Sequence, residues 1–183
     1  MERHFLARHA RPQVCSDTPS HEWELSPEGR EGADRLVRAM RSEISSIVTS
    51  TETKAVQTGQ HVAKQLDLPL HQNPDLGEHR RANEPFFHDP SRFSSTIRRL
   101  FEYPDQVIFG TETANEALSR FSRALSGYLG GPPCLFITHG TVLSLYVASI
   151  SDRSGFEVWS SLGMPCLITI SSEASLLDVK TEV

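Results

Sequence analysis

Short apolar runs alternate along this chain with longer stretches in which apolar residues recur every three or four positions, and that alternation fixes the fold class. His4-Phe5-Leu6-Ala7-Arg8, Ser46-Ile47-Val48-Thr49 and Cys134-Leu135-Phe136-Ile137-Thr138 have the length and apolar character of buried strands. Between them lie helical patterns. Ser26-Pro27 forms an N-cap with proline in the first turn, and Ala33, Leu36, Val37, Met40 and Ile44 follow on one face. A second helix is expected over residues 53–66, a short one around Phe93, Ile97, Leu100 and Phe101, and a longer one over 113–129. Another opens at Gly140-Thr141. Prolines and a glycine interrupt residues 67–90, which read as loop. The chain closes on two strands, Cys166–Ile170 and Leu176–Lys180, whose short connection predicts a hairpin. The expected fold is α/β, a three-layer αβα sandwich with a mostly parallel sheet and at least one antiparallel strand. At 183 residues, with 38% hydrophobic and no linker-like tract, residues 1–183 are expected to form one domain.

The charge balance narrows the partners. Asp+Glu number 23 against 18 Lys+Arg, a net charge of -5, which argues against a dedicated nucleic-acid binder. The longest apolar tract, around Val142–Ile150, is too short to span a bilayer, and the first residues do not form a signal peptide. Cys15, Cys134 and Cys166 are widely spaced and odd in number, so neither a disulfide scaffold nor a zinc ribbon is expected. No membrane partner and a cytoplasmic location are the corresponding expectations.

In open α/β sheets ligands bind beyond the carboxyl ends of the strands. Three of these strands end in reactive groups: the first in Arg8-His9, the second in Thr49-Ser50 with Lys54 in the next helical turn, and the late one in His139-Gly140. Two imidazoles, a guanidinium and an ammonium near helix N-termini suit a phosphate or another small oxyanion. Periodicity does not give the strand order that would make these ends neighbours.

These segments also carry a resemblance. Leu6-Ala7-Arg8-His9-Ala10-Arg11-Pro12 resembles the Arg-His-Gly signature of the histidine phosphatase superfamily, the phosphoglycerate-mutase-like proteins. Ser50 to Thr58 is similar to its second motif, Leu76-Gly77-Glu78 to its acidic stretch, and Thr138-His139-Gly140-Thr141 to its late His-Gly motif. Leu25 to Arg30 matches the entry to its first long helix. The four motifs occur in order over nearly the whole chain. The resemblance implies a phosphatase that uses neither metal nor cofactor and hydrolyses phosphomonoesters through a phosphohistidine on His9. It further implies that Arg8, Lys54 and His139, the last protonated, hold the phosphate, and that Glu78 is the acid and base. The substrate implied is a small phosphorylated molecule.

The chain departs from the family pattern at Ala10, where glycine is usual, and at Lys54, where a second arginine is usual. Lysine keeps the charge but loses the bidentate fork, and Arg80 or Arg81 is the alternative that would fill the gap. Glu84 is the alternative to Glu78. Residues 80–88 read either as a substrate-facing lid or as an ordinary loop anchored by Phe86 or Phe87. His4, His21, His61, His71, His79 and His88 share no spacing and are expected at the surface or in loops, with His79 and His88 the two that could line the pocket rim. Three other readings stay open: a phosphohistidine-protein phosphatase, a non-catalytic sensor of phosphorylated ligands on the same fold, and a mutase. The last is disfavoured by the short chain. Oligomeric state is not read from the sequence.

Overall fold

A computed structural model describes residues 2–40, 43–81 and 86–183. The elements are β1 (Arg3–Arg8), α1 (Pro27–Met40), β2 (Ser46–Thr49), α2 (Thr53–Leu66), β3 (Leu70–Gln72), α3 (Pro90–Glu102), α4 (Ala114–Ser126), β4 (Cys134–Thr138), α5 (Gly140–Ser149), α6 (Gly155–Ser161), β5 (Leu167–Ser171) and β6 (Leu176–Lys180). Single 3-10 turns occur at Ser20–Glu22 and Pro74–Leu76.

The six strands form one sheet in the order β3-β2-β4-β1-β5-β6. β1, β2, β3 and β4 run parallel, whereas β5 is antiparallel to both β1 and β6. The expected hairpin is therefore present, and the sheet contains a second antiparallel pair as well. Each strand sends alternate side chains to opposite faces. Phe5, Ala7, Ile47, Leu135 and Ile137 pack with Leu36, Met40 and Val62 of α1 and α2. Leu6, Val48 and Phe136 face the other way, into a core with Ile97, Phe121, Leu143 and Val158 from α3 to α6. Three layers follow.

Local chemistry sets the helix boundaries. α3 begins with Asp89, whose carboxylate accepts from Ser91 N, and with proline in the first turn. Thr113 and Glu116 form a reciprocal capping box at the start of α4. α2 ends where Asp67 adopts the left-handed conformation, φ 54°.

The structure changes four sequence readings. Ile44 lies outside α1, whose described residues are Pro27–Met40, and is half-buried against the same core. α4 stops at Ser126, three residues before the expected end. β3 and α6 lie in segments with no assigned element in the sequence reading. His4 is fully buried in β1, with Nε2 3.2 Å from Leu129 O and Nδ1 accepting from Cys134 N. Among the described residues no helix is long and apolar enough to cross a membrane.

Candidate functional site

The register of the sheet decides what meets what. Arg8 lies opposite Thr138 and Thr49 opposite Ile137, so β1, β4 and β2 end side by side. The residues that follow these ends, His9, His139 and Ser50, therefore share one edge. His9 N donates to Thr138 O (2.8 Å) and Ser50 N to Ile137 O (3.1 Å), which extends the ladders one step past the strands.

His9 is 5% exposed. Its Nδ1 is 2.8 Å from Ala10 O. A carbonyl can only accept, so Nδ1 carries the hydrogen and Nε2 keeps its lone pair. Burial, then the charges of His139, Lys54 and Arg8, push this imidazole well below its ordinary value, against the pull of the Ala10 carbonyl. The ring is thus neutral and nucleophilic at neutral pH. Ala10 N donates to Thr58 Oγ1 (3.1 Å), and Thr58 Oγ1 donates to Lys54 O (2.7 Å), which ties the turn after β1 to α2. Among the described residues only Asp67 and Ala174 combine a side chain larger than hydrogen with positive φ, so Ala10 replaces glycine without left-handed strain.

The His139 ring lies 5.1 Å from that of His9, centre to centre. It is fully buried, with Nε2 2.6 Å from Ser50 Oγ and 3.3 Å from Glu52 Oε1. Nδ1 is buried without a hydrogen-bond partner among the described residues. Burial lowers this imidazole to about 4, with Glu52 and Glu78 pulling upward and Lys54 and Arg81 downward. The expectation of a protonated His139 therefore does not describe the ligand-free site, where the ring is neutral at neutral pH.

Arg8 Nη1 donates to Leu162 O (2.9 Å), while its Nε is buried with no partner among the described residues. The guanidinium lies against the first turn of α5. A Cβ on Gly140 would come within 3.1 Å of Arg8 Cζ and Nε, so only glycine lets the helix start approach this closely.

Lys54 is buried, and its ammonium donates to Ser20 O (2.7 Å) and Glu52 Oε2 (2.5 Å). It faces the histidines electrostatically but is already paired. Glu52, which the sequence reading did not single out, joins the three strand ends. Besides Lys54 and His139, it accepts from Glu78 N (2.8 Å). Burial would raise its carboxyl. The positive charges of His139, when protonated, and of Lys54, with the hydrogen bonds from Lys54 and the Glu78 amide, outweigh burial and hold it at about 2.

Glu78 is buried against the start of α5. Its oxygens accept from His79 N (2.9 Å), Thr141 N (3.1 Å) and Val142 N (3.2 Å), with Arg81 Nη2 at 3.5 Å. Burial again works upward, and Arg81, His139 and the amides overcome it, leaving the carboxyl at about 2. It is a carboxylate at neutral pH. Glu84, its alternative, lies outside the described residues, as does part of the 80–88 segment.

The two adjacent arginines separate. Arg81 enters the site, where Nη2 donates to Thr141 Oγ1 (2.8 Å) and the guanidinium lies over the rings of Phe93 and Phe109. Arg80 does not: its side chain is 61% exposed, and Nε lies 3.7 Å from Glu112. The reason is that backbone Arg80 N donates to Glu112 Oε1 and Arg80 O accepts from Thr111 N, which turns this residue toward the Glu112 side. Behind Glu78, Arg120 is buried and donates to Asp75 O, Gly77 O, Glu78 O and both oxygens of Glu112. This pair holds the loop that presents Glu78. Of the other two histidines placed near the rim, His79 is buried with Nε2 donating to Glu112 O (2.8 Å), and His88 is exposed with its ring edge-on to Phe86. Among the described residues, no group of three or more His, Cys, Asp or Glu side chains could hold a metal ion.

The site is thus a cup with Arg8, His9, His139, Lys54 and Arg81 as its basic groups and Glu52 and Glu78 as its acids. A family model, that of the histidine phosphatase superfamily (branch 1), matches residues 4–172. No curated protein sequence matches significantly. Solved structures of similar fold include a mycobacterial glucosyl-3-phosphoglycerate phosphatase (TM-score 0.77, 16% identity, covering 100% of this chain and 99% of that one). A phosphoserine phosphatase of Entamoeba histolytica, solved with 3-phosphoglyceric acid, has TM-score 0.77 and 15% identity, over 98% and 97% of the two chains. YhfR of Bacillus stearothermophilus has TM-score 0.75 and 20% identity, over 99% and 97%.

Proposed function

This chain belongs to the histidine phosphatase superfamily, branch 1, and we propose that it hydrolyses small phosphomonoesters through a phosphohistidine on His9. The observation that carries the reading is the fixed tautomer of His9, with Nδ1 bound to Ala10 O beside a second histidine ring 5.1 Å away.

Nε2 of His9 attacks phosphorus as the ester oxygen departs, so one N–P bond forms and one P–O bond breaks. Arg8 and Arg81 contribute permanent positive charge where the phosphoryl oxygens sit, and His139 and Lys54 supply the remaining contacts. Such preorganised charge is the main source of catalysis in phosphoryl transfer. The leaving oxygen needs a proton. A bound phosphate dianion raises the proton affinity of the nearby Glu78 carboxylate, which takes up a proton on binding and passes it to that oxygen. As a carboxylate again, Glu78 then accepts a proton from the water that attacks the phosphohistidine. Inorganic phosphate leaves and His9 is restored.

Two of the neighbours named above are phosphatases, of glucosyl-3-phosphoglycerate and of phosphoserine, which supports a small organic phosphate as substrate. The test is phosphate release from an aryl phosphate and from a panel of phosphorylated metabolites, with chelator present, together with trapping of an acid-labile, base-stable phosphoryl group on His9. Tight binding of a phosphorylated metabolite with neither turnover nor a trapped group would replace this reading with that of a sensor.

A further inference from the structure

His139 faces two demands that conflict in the ligand-free cup: burial keeps it neutral, yet a phosphate oxygen needs a hydrogen from it. We propose that Glu52 is the charge partner of His139, holding a proton on Nε2 so that a second proton can settle on Nδ1 opposite the phosphoryl group. This rests on the reading of the cup as a phosphate site, and it gives Glu52 a positioning role in that site.

The geometry supplies each step. Glu52 Oε1 lies 3.3 Å from His139 Nε2, and Ser50 Oγ lies 2.6 Å from it. An ionised carboxylate only accepts, so its approach selects the tautomer with hydrogen on Nε2. The lone pair is then on Nδ1, which is buried and has no hydrogen-bond partner among the described residues. An orphaned buried acceptor costs stability unless something satisfies it. A phosphate oxygen is itself an acceptor and cannot do so until Nδ1 is protonated. With a phosphate dianion at Nδ1 and the Glu52 carboxylate at Nε2, an imidazolium lies between two negative groups, and its proton affinity rises from both sides.

The remaining charged neighbours are accounted for. Lys54, from the same helix turn as Glu52, opposes protonation, although its ammonium is paired with Glu52. From the loop before α3, Glu78 favours protonation and Arg81 opposes it. From β1, Arg8 is a permanent cation, and His9 is neutral. Glu52 is the anion that reaches Nε2 itself, and its own position is fixed by the Glu78 amide and by Lys54.

The experiment measures binding of inorganic phosphate by calorimetry from pH 5.5 to 8.5 in buffers of different ionisation enthalpy, for wild type, Glu52→Gln and Glu52→Asp. Glutamine is isosteric and can still accept from Glu78 N, and thermal melting checks the fold. Wild type is expected to take up about two protons per phosphate dianion above neutrality, one at Glu78 and one at His139, and Glu52→Gln about one fewer. Glu52→Gln should bind phosphate about tenfold more weakly at pH 7.5, with the pH midpoint shifted about one unit toward acid, and Glu52→Asp should recover part of the loss. Nitrogen NMR of wild-type His139 with phosphate bound gives a second readout, independent of any variant: the ring should remain an imidazolium above pH 7. Equal or tighter phosphate binding by a folded Glu52→Gln, or a neutral His139 in the wild-type complex, overturns the proposal. Tighter binding would mean instead that Glu52 competes with phosphate for Lys54. Phosphate binding without any phosphohistidine would sink the phosphatase reading and leave the role of Glu52 intact. Turnover unaffected by Glu52→Gln would do the reverse.

Discussion

Two buried charged clusters lie on either side of Glu78, and they are built on opposite terms. In the cluster behind it, Arg120 uses all three guanidinium nitrogens: Nε and Nη2 reach Glu112, and Nη1 and Nη2 reach the carbonyls of Asp75, Gly77 and Glu78. In the cup, Arg8 Nε, Arg81 Nε and His139 Nδ1 are buried without hydrogen-bond partners among the described residues. The same residue types therefore do different work. Where every guanidinium nitrogen is satisfied from within, as at Arg120, the cluster is a brace. Where several buried nitrogens are not, the cluster suits the phosphate-binding role proposed for it.

The sharpest break of this comparison is His9→Ala, which should leave a folded protein and remove turnover by on the order of 10⁴-fold or more, read by phosphate release. Next comes the pair of arginine variants. Arg120→Met strands the buried Glu112 carboxylate and should cost about 3–5 kcal/mol of unfolding free energy in urea. Arg8→Met removes a cation that is incompletely paired. It should change stability by no more than about 1 kcal/mol, yet reduce kcat/KM by roughly 10²–10³-fold. If Arg8→Met is the more destabilising of the two, the contrast between brace and cup is wrong.

Acid should expose the cup first. The folded His139 titrates at about 4 against an ordinary 6.5, so the unfolded chain binds the extra proton between those values. Stability is fully present above pH 6.5 and falls as pH drops from 6.5 toward 4. Glu52 and Glu78, at about 2 against 4.5, contribute stability above pH 4.5 that is lost as pH falls from 4.5 toward 2. Both trends have the same sign, and urea titrations at pH 8, 6, 5 and 4 should show a decline beginning below pH 6.5. Added phosphate should blunt its first part. The smallest expected effect is that of Gly140→Ala. Its Cβ would press on the Arg8 guanidinium at 3.1 Å, and kcat/KM should fall roughly tenfold with little change in melting.

The sequence disclosed the parts of the cup that sit at strand ends, because a short apolar run followed by a charged or imidazole side chain can be read from the residues alone. It could not disclose neighbours that only the strand order creates. Glu52 lies in a polar loop like many others, and its relation to His139 depends on β2 pairing with β4. Arg80 and Arg81 look alike in sequence, and what separates them is the pull of Glu112 on one backbone amide. β3 has three residues, Leu70-His71-Gln72, too few and too polar for an alternation to be visible, and it lies at the sheet edge. α6 spans seven residues and shows itself chiefly through its cap, Ser154 accepting from Glu157 N. The Arg120–Glu112 brace is eight residues apart in sequence and resembles any surface ion pair until burial is known.

β1 is flanked in the sheet by β4 and β5, both drawn from the far end of the chain. In synthesis β1 emerges well before both of these neighbours, so its place in the sheet is completed only once β4 and β5 have been made. Until then the strand ends that carry His9 and His139 have not been brought side by side. On the proposed reading, the ability to bind phosphate is among the last properties the growing polypeptide acquires, and a fragment ending before Cys134 would have His9 without its neighbour His139.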